Sequence, residues 1–345
     1  MKAICKVRVG VGAEYGENEI SKPKPDEVLV KVYRASICGS DLPIYYWSSW
    51  APGRLKLPLV FGHEFCGEVT EVGSAAGDFK KGDFVSVESH IYCGHCYQCQ
   101  HGQKHVCKQM KIIGVDVRGG FSEYAVIPAR CAWKHSNGSL KEVGSLMEPL
   151  GNAVYAVLVE EVMDRSVLVM GCGPQGLFSV AVAKASGAKP VIVVEGSAYR
   201  RKLAEKMGAD VVLDPASSNI LQDILKACDS KDGVDVVLEM SGNPQAVTLG
   251  FQCLRNGGRM TAFGIPSEKL TIDWANDVIF KGIRIYGIVG REIFQTWVKM
   301  ESLLKSKAVN LSATITHTFP MKDFAKAFEV LSSPKKECGK VMLVP

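Results

Sequence analysis

From Ser166 onward, short apolar runs alternate with longer amphipathic stretches. The runs SVLVMG, PVIVVEG, DVVLDP, VDVVLEMSG, RMTAFGI and IRIYGIVG are rich in β-branched residues, and each reads as a strand. Between them lie the helical stretches GLFSVAVAKASG, AYRRKLAEKMG, ILQDILKACDS and PQAVTLGFQCLRNGG, with a loop before the last strand. Strands without polar alternation, separated by helices, predict a parallel sheet covered on both faces. The pattern predicts an α/β, doubly wound domain over residues 153–290.

The first part of the chain has a different period. EVLVKVYRASIC, CGEVTEVGS, GDFVSVES and FSEYAVIPA are short strand candidates set between glycine-containing turns. Residues 1–152 are therefore expected to form a β-rich domain with few long helices. Helical periodicity first appears in GSLMEPLGNAVYAVLVEEV. The segment 291–345 adds two helical stretches, TWVKMESLLKSK and KDFAKAFEVLSS, and a last strand, GKVMLVP. That strand extends no βαβ unit, so this segment is expected to return to the first domain.

Length agrees with two domains, since 345 residues exceed what one core usually serves. A net charge of +5 with scattered basic pairs argues against a nucleic-acid partner. The start, MKAICKVRVG, is too interrupted by charge for an export signal. No apolar run approaches the ~20 residues of a membrane span, so no membrane partner is expected. A cytoplasmic setting would keep the twelve cysteines reduced and turn attention to metal binding.

Candidate chemistry begins with Gly171-x-Gly173-x-x-Gly176, with Pro174 and Gln175 inside it. It follows a strand and opens a helix, the context in which glycines let a backbone approach a pyrophosphate at a helix N-terminus. The acidic residue expected at the end of the second strand is Glu195, which suits ribose hydroxyls and repels a 2′-phosphate. This favours NAD over NADP, although Arg200 and Arg201 lie close enough in sequence to soften the preference.

Four of the twelve cysteines fall at Cys93, Cys96, Cys99 and Cys107. Such spacing on a glycine-containing loop suits tetrahedral zinc with no open position, hence a structural ion. An iron–sulfur cluster is the rival reading. His95, His101 and His105 are then left facing solvent or backing the site. A second, dispersed set joins Cys38 to His63 and Glu64, with Glu148 just before the nucleotide-binding segment. One thiol, one imidazole and carboxylates make a mixed shell open to water or substrate, as in a catalytic site.

GHE at 62–64, the four-cysteine loop, EPLGNA at 148–153 and GCGPQG at 171–176 together resemble the zinc-dependent medium-chain dehydrogenases over nearly the whole chain. ICGSDLPIYYWSSWA, VSVESHIYCGHC, IDWANDVIFKGI and GREIFQTWVKM are most similar to the threonine 3-dehydrogenase family. The resemblance implies a GroES-like β-rich catalytic domain, a Rossmann domain and a homotetramer. It implies that Cys38, His63 and Glu64 hold a catalytic zinc, that Ser40 carries the proton, and that Glu148 is a nearby carboxylate able to approach the metal or relay protons. His90 would help select substrate. Gln175, Glu195, Arg200, Phe263, Gly264, Ile265, Ile288 and Val289 would contact NAD. The expected reaction moves hydride from a secondary alcohol, L-threonine, to NAD and yields 2-amino-3-oxobutanoate. One position departs: Pro43 stands where the family carries a relay histidine. CGSDLP is similar instead to some polyol-phosphate dehydrogenases, which keeps polyol, sugar-alcohol or diol oxidation open. A non-catalytic NAD-binding sensor is the third reading.

Overall fold

The computed structural model describes residues 1–135 and 140–345. They form two compact units: Met1–Pro149 with Ile315–Pro334 and Lys340–Pro345, and Leu150–Thr314 with Lys335–Gly339.

Unit 1 begins with strands β1 (Lys2–Lys6), β2 (Glu14–Glu17), β3 (Glu27–Ser36), β4 (Leu59–Val60) and β5 (Glu64–Val72). Strands β6 (Phe84–Val87), β7 (His90–Ile91), β8 (Lys111–Ile112), β9 (Tyr124–Pro128) and β10 (Ala132–Lys134) follow. Strands β2, β1 and β4 form a small sheet, and β7 with β8 a ribbon. In the main sheet β10, β6, β5 and β3 are successive neighbours, and β9 also pairs with β3. The helix Met147–Leu158 starts in unit 1 and carries the boundary.

Unit 2 is an all-parallel sheet of β11 (Val167–Met170), β12 (Val191–Val194), β13 (Val211–Leu213), β14 (Val234–Glu239), β15 (Leu254–Ala262) and β16 (Arg284–Gly287). The order is β13-β12-β11-β14-β15-β16. Its core joins Leu168, Met170, Ile192, Val237 and Phe251. Burying each such side chain contributes roughly 1.5–3 kcal/mol.

One element differs from expectation. The helix opening at Pro244 stops at Cys253, and LRNGG belongs to β15. Leu254 is buried opposite Val234, and Gly257 takes a φ of +70°, which no helix accommodates. Arg255 Nε donates to Asp235 Oδ1 at 2.8 Å and fixes the new direction.

The tail divides. The helix Gln295–Lys305 lies in unit 2, whereas β17 (Ile315–Pro320), the helix Phe324–Ser332 and β18 (Lys340–Val344) lie in unit 1. Strand β18 pairs antiparallel with β3 and parallel with β17, completing the main sheet. Among the described residues, no helix is long and apolar enough to cross a membrane.

Candidate metal centres and dinucleotide loop

Pairing of β3 with β5 sets Ser36 opposite Glu64, so the residues just outside the pair, Cys38 and His63, meet at one sheet end. Ligand atoms of Cys38, His63 and Glu64 all lie within 4.8 Å of one another. Gly62 makes the approach possible. Its φ is +88°, and a Cβ there would sit 2.3 Å from Phe121 Cδ1.

Asp41 organises this corner. Its Oδ2 accepts the Cys38 N–H at 2.9 Å, and its Oδ1 faces His63 Nδ1 at 3.4 Å. Burial opposes a charged imidazole, but Asp41 and then Cys38 outweigh it and raise His63 well above the usual histidine range. The charges that hold a proton there also favour a cation. Ser40 is exposed, with Oγ 3.4 Å from His63 Nε2. Pro43 occupies the first turn of the short helix Leu42–Tyr45, where a missing N–H does no harm.

Glu64 has two unlike oxygens. Oε2 accepts from the Ser36 hydroxyl and from the Lys340 ammonium, which also donates to the Ile37 carbonyl at 3.0 Å. Oε1 is buried without a hydrogen-bond partner among the described residues, as a ligand oxygen would be. Burial pushes the Glu64 carboxyl up, Lys340 opposes this, and nearby Glu148 adds to the rise. Ser36 and Lys340 escaped sequence reading, because Lys340 lies 276 residues from its partner and carries no motif.

Glu148 is buried in the first turn of its helix, and Oε1 accepts the Ser89 hydroxyl at 2.6 Å. Ser89 Oγ also lies 3.3 Å from His90 Nδ1, which sits 3.0 Å from Glu88 Oε1. Ser89 and Glu88 were not singled out from sequence either, although both flank His90.

The second cluster hangs from the β7–β8 ribbon. Sγ atoms of Cys93 and Cys99 are 4.0 Å apart, and those of Cys96 and Cys107 3.7 Å. Four sulfurs at 2.3 Å from one zinc would be separated by roughly 3.8 Å, and all four cysteines are free thiols. Backbone N–H groups of Cys93 and Gln109 point at Cys107 Sγ, and that of Cys96 at Cys93 Sγ, each at 3.3 Å. Backbone hydrogen bonds pull Cys96 down to about 6, whereas burial pushes Cys99 up to about 12. A divalent cation would hold all four as thiolates. Exposed His95 and His101 bond to backbone carbonyls, and His105 is buried.

In unit 2, Gly171 has φ +88°, and Gly173 caps the helix Pro174–Ala185. A Cβ on Gly176 would lie 2.0 Å from Gly171 O, so helix and loop meet only through glycine. Glu195 Oε2 accepts the Cys172 N–H at 2.6 Å and Oε1 the Ser197 N–H at 2.8 Å. Arg200 Nε donates to Cys338 O at 3.0 Å, while Arg201 pairs with Asp214 at 2.9 Å. Gln175 Oε1 is buried without a partner among the described residues, a polar atom that a ligand at this loop would satisfy. Phe263, Gly264 and Ile265 leave β15, and Ile288 and Val289 leave β16, at the same carboxyl edge of the sheet.

A mixed thiol–imidazole–carboxylate cluster in one unit and a glycine loop on a doubly wound sheet in the other define a metal- and dinucleotide-dependent dehydrogenase. Residues 24–137 match the alcohol dehydrogenase GroES-like domain and residues 174–306 the zinc-binding dehydrogenase domain. The chain belongs to the zinc-dependent medium-chain dehydrogenases. Within that superfamily it is 47% identical over 345 residues to the L-threonine 3-dehydrogenase of Pyrococcus horikoshii, covering 100% of this chain and 98% of that one. Among solved structures it resembles a zinc-binding dehydrogenase of Sinorhizobium meliloti bound to NADP (28% identity, TM-score 0.92). It also resembles a short chain alcohol dehydrogenase of Escherichia coli complexed with NADH (29%, 0.91). A third is galactitol-1-phosphate dehydrogenase of Escherichia coli (27%, 0.89). Each alignment covers 100% of this chain and at least 99% of the other.

Proposed function

We propose that the protein oxidises the secondary hydroxyl of L-threonine to the ketone of 2-amino-3-oxobutanoate, using NAD. The observation that carries this reading is the full-length 47% identity to a threonine dehydrogenase. Cys38, His63 and Glu64 hold a catalytic zinc, and Cys93, Cys96, Cys99 and Cys107 a structural one. When bound, zinc supplies a Lewis acid that eases deprotonation of a hydroxyl, and the nicotinamide supplies the hydride acceptor.

The chain's own groups do the rest. Asp41 orients Cys38 and His63, and Lys340 balances Glu64. The alcohol proton leaves by way of Ser40 Oγ, which hands its own proton on to water or to a ribose hydroxyl, because Pro43 offers no titratable side-chain nitrogen to continue the relay. Glu148 Oε1, Ser89 Oγ and His90 Nδ1 offer a second string of proton carriers, with links of 2.6 and 3.3 Å. His90 also helps select the substrate. The glycines of the loop, with Pro174 and Gln175, receive the pyrophosphate. Glu195, held by two backbone N–H groups, receives ribose hydroxyls and repels a 2′-phosphate. The commitments of Arg200 to Cys338 and of Arg201 to Asp214 further favour NAD over NADP. Phe263, Gly264, Ile265, Ile288 and Val289 contact the cofactor's other half.

Pro43 favours a second reading, oxidation of a polyol, a diol or a sugar-alcohol phosphate with the same apparatus. The test is NAD reduction by zinc-replete protein across threonine, short diols, polyols and polyol phosphates. Threonine should give the largest kcat/KM. Absence of a threonine signal beside strong polyol turnover would install the second reading. Metal analysis should find two zinc ions per chain, and iron with visible absorbance would remove the zinc assignment of the cysteine loop. We also read the protein as a cytoplasmic homotetramer. Strand β16 ends the sheet order with Ile285 exposed, and Trp274 and Phe280 are exposed at the two ends of the π-helix Trp274–Ile279 before it. A monomer by light scattering would remove that assembly.

A further inference from the structure

Three turns leave the carboxyl ends of β11, β14 and β15, and one buried residue joins them. Glu239, the last residue of β14, is 1% exposed. Its carboxylate accepts the Ser241 hydroxyl, the Ser241 N–H at 2.9 Å and the Gly242 N–H at 3.1 Å. Its carbonyl accepts the N–H groups of Phe263 and Gly264, both at 3.0 Å. The side chain thus shapes the turn after β14, while the backbone anchors the turn after β15.

Packing ties the turns together. A Cβ on Gly264 would lie 2.1 Å from Gly242 N and 2.5 Å from Glu239 Oε2. A Cβ on Gly171 would lie 2.7 Å from Ser241 Cβ, so the glycine loop rests on the same turn. A carboxylate is costly to bury without strong partners, and here the partners are N–H and O–H groups of the turn itself.

Dinucleotides cross the carboxyl edge of a doubly wound sheet at the strand where the order reverses. That strand is β11, with β12 and β13 on one side and β14, β15 and β16 on the other. Glu195 directly follows β12 and marks the adenosine side, so the nicotinamide half belongs over the turns that Glu239 holds.

We propose that Glu239 is a positioning residue for the nicotinamide half of the bound dinucleotide, a role that rests on the NAD reading above. It acts by fixing residues 240–242 and 263–265. Calorimetric titration of the zinc-replete chain with NADH and with ADP-ribose, which lacks the nicotinamide, tests this. Glu239→Gln keeps the size and removes the charge; NADH affinity should fall roughly tenfold while ADP-ribose changes by less than about twofold. Ser241→Ala deletes one donor and leaves the backbone, and should weaken NADH by roughly threefold with the same selectivity. If Glu239→Gln fails to fold, Ser241→Ala carries the comparison. Equal weakening of both ligands would make Glu239 a general prop of the unit and overturn the role, as would unchanged NADH affinity. Wild-type protein that binds neither ligand removes the NAD reading itself, and this role with it.

Discussion

Lys340 balances the charge of Glu64 in the corner proposed to hold metal. Its ammonium and the Glu64 carboxylate are 2% and 1% exposed, so neither has water as a substitute partner. Breaking such a pair from one side costs about 3–5 kcal/mol, because the remaining charge stays buried. Lys340→Met should therefore lower unfolding free energy by about that much in urea, and Glu64→Gln added to it should recover most of the loss. A double variant no more stable than the single one would mean that Lys340 acts by packing alone. Legibility at this scale followed distance along the chain. The four cysteines and the Gly171–Gly176 loop advertise themselves because their chemistry needs near neighbours. Ser36, Ser89 and Lys340 are ordinary residue types whose roles arise only from pairing with distant partners.

Among the elements, the glycine loop makes the firmest demand. Gly176→Ala would press a methyl group against Gly171 O, so the helix Pro174–Ala185 must retreat from the sheet. NADH affinity should drop at least about tenfold, as expected when close helix–strand packing is lost, while zinc content holds at two per chain. Loss of zinc alongside NADH binding would show general unfolding instead. Elsewhere Glu160 links the end of the boundary helix to β15 and β16. It accepts both Arg284 nitrogens, at 2.8 and 3.0 Å, and the Tyr286 hydroxyl at 2.6 Å. Arg284 above all, with Tyr286 and Arg259, brings its carboxyl from the usual 4.5 down to about 2. A lowered carboxylate stabilises the fold fully above its unfolded value, and that contribution is lost as pH falls from about 4.5 to about 2. Glu160→Gln should be less stable than wild type at pH 7, with the gap narrowing steadily below pH 4; a constant gap would exclude an ionic origin. Sequence pattern found β11 to β14 with small end errors, since continuous β-branched runs have one reading. It placed LRNGG in a helix because a short stretch between an apolar helix and a strand has no period of its own. Arg255 meeting Asp235 decided the direction there, and that contact is tertiary.

At the scale of the molecule, the two proposed metal centres differ in how much chain they require. The cysteine loop is self-contained, with four thiols inside fifteen residues and a two-stranded ribbon beneath. The mixed centre draws on β3, β5 and β18, and its counter-charge comes 276 residues after Glu64. Synthesis from the N-terminus therefore separates the two in time. The cysteine loop can close around its ion while most of the polypeptide is still unmade. The corner of Cys38, His63 and Glu64 gains its counter-charge only once Lys340 is made and β18 pairs with β3. Stalled nascent chains ending before Lys340 should retain one zinc ion each, and retention of two would show that the corner loads without its lysine. On the assignment proposed above, the order of synthesis would let the ion that steadies the fold load before the ion that does chemistry.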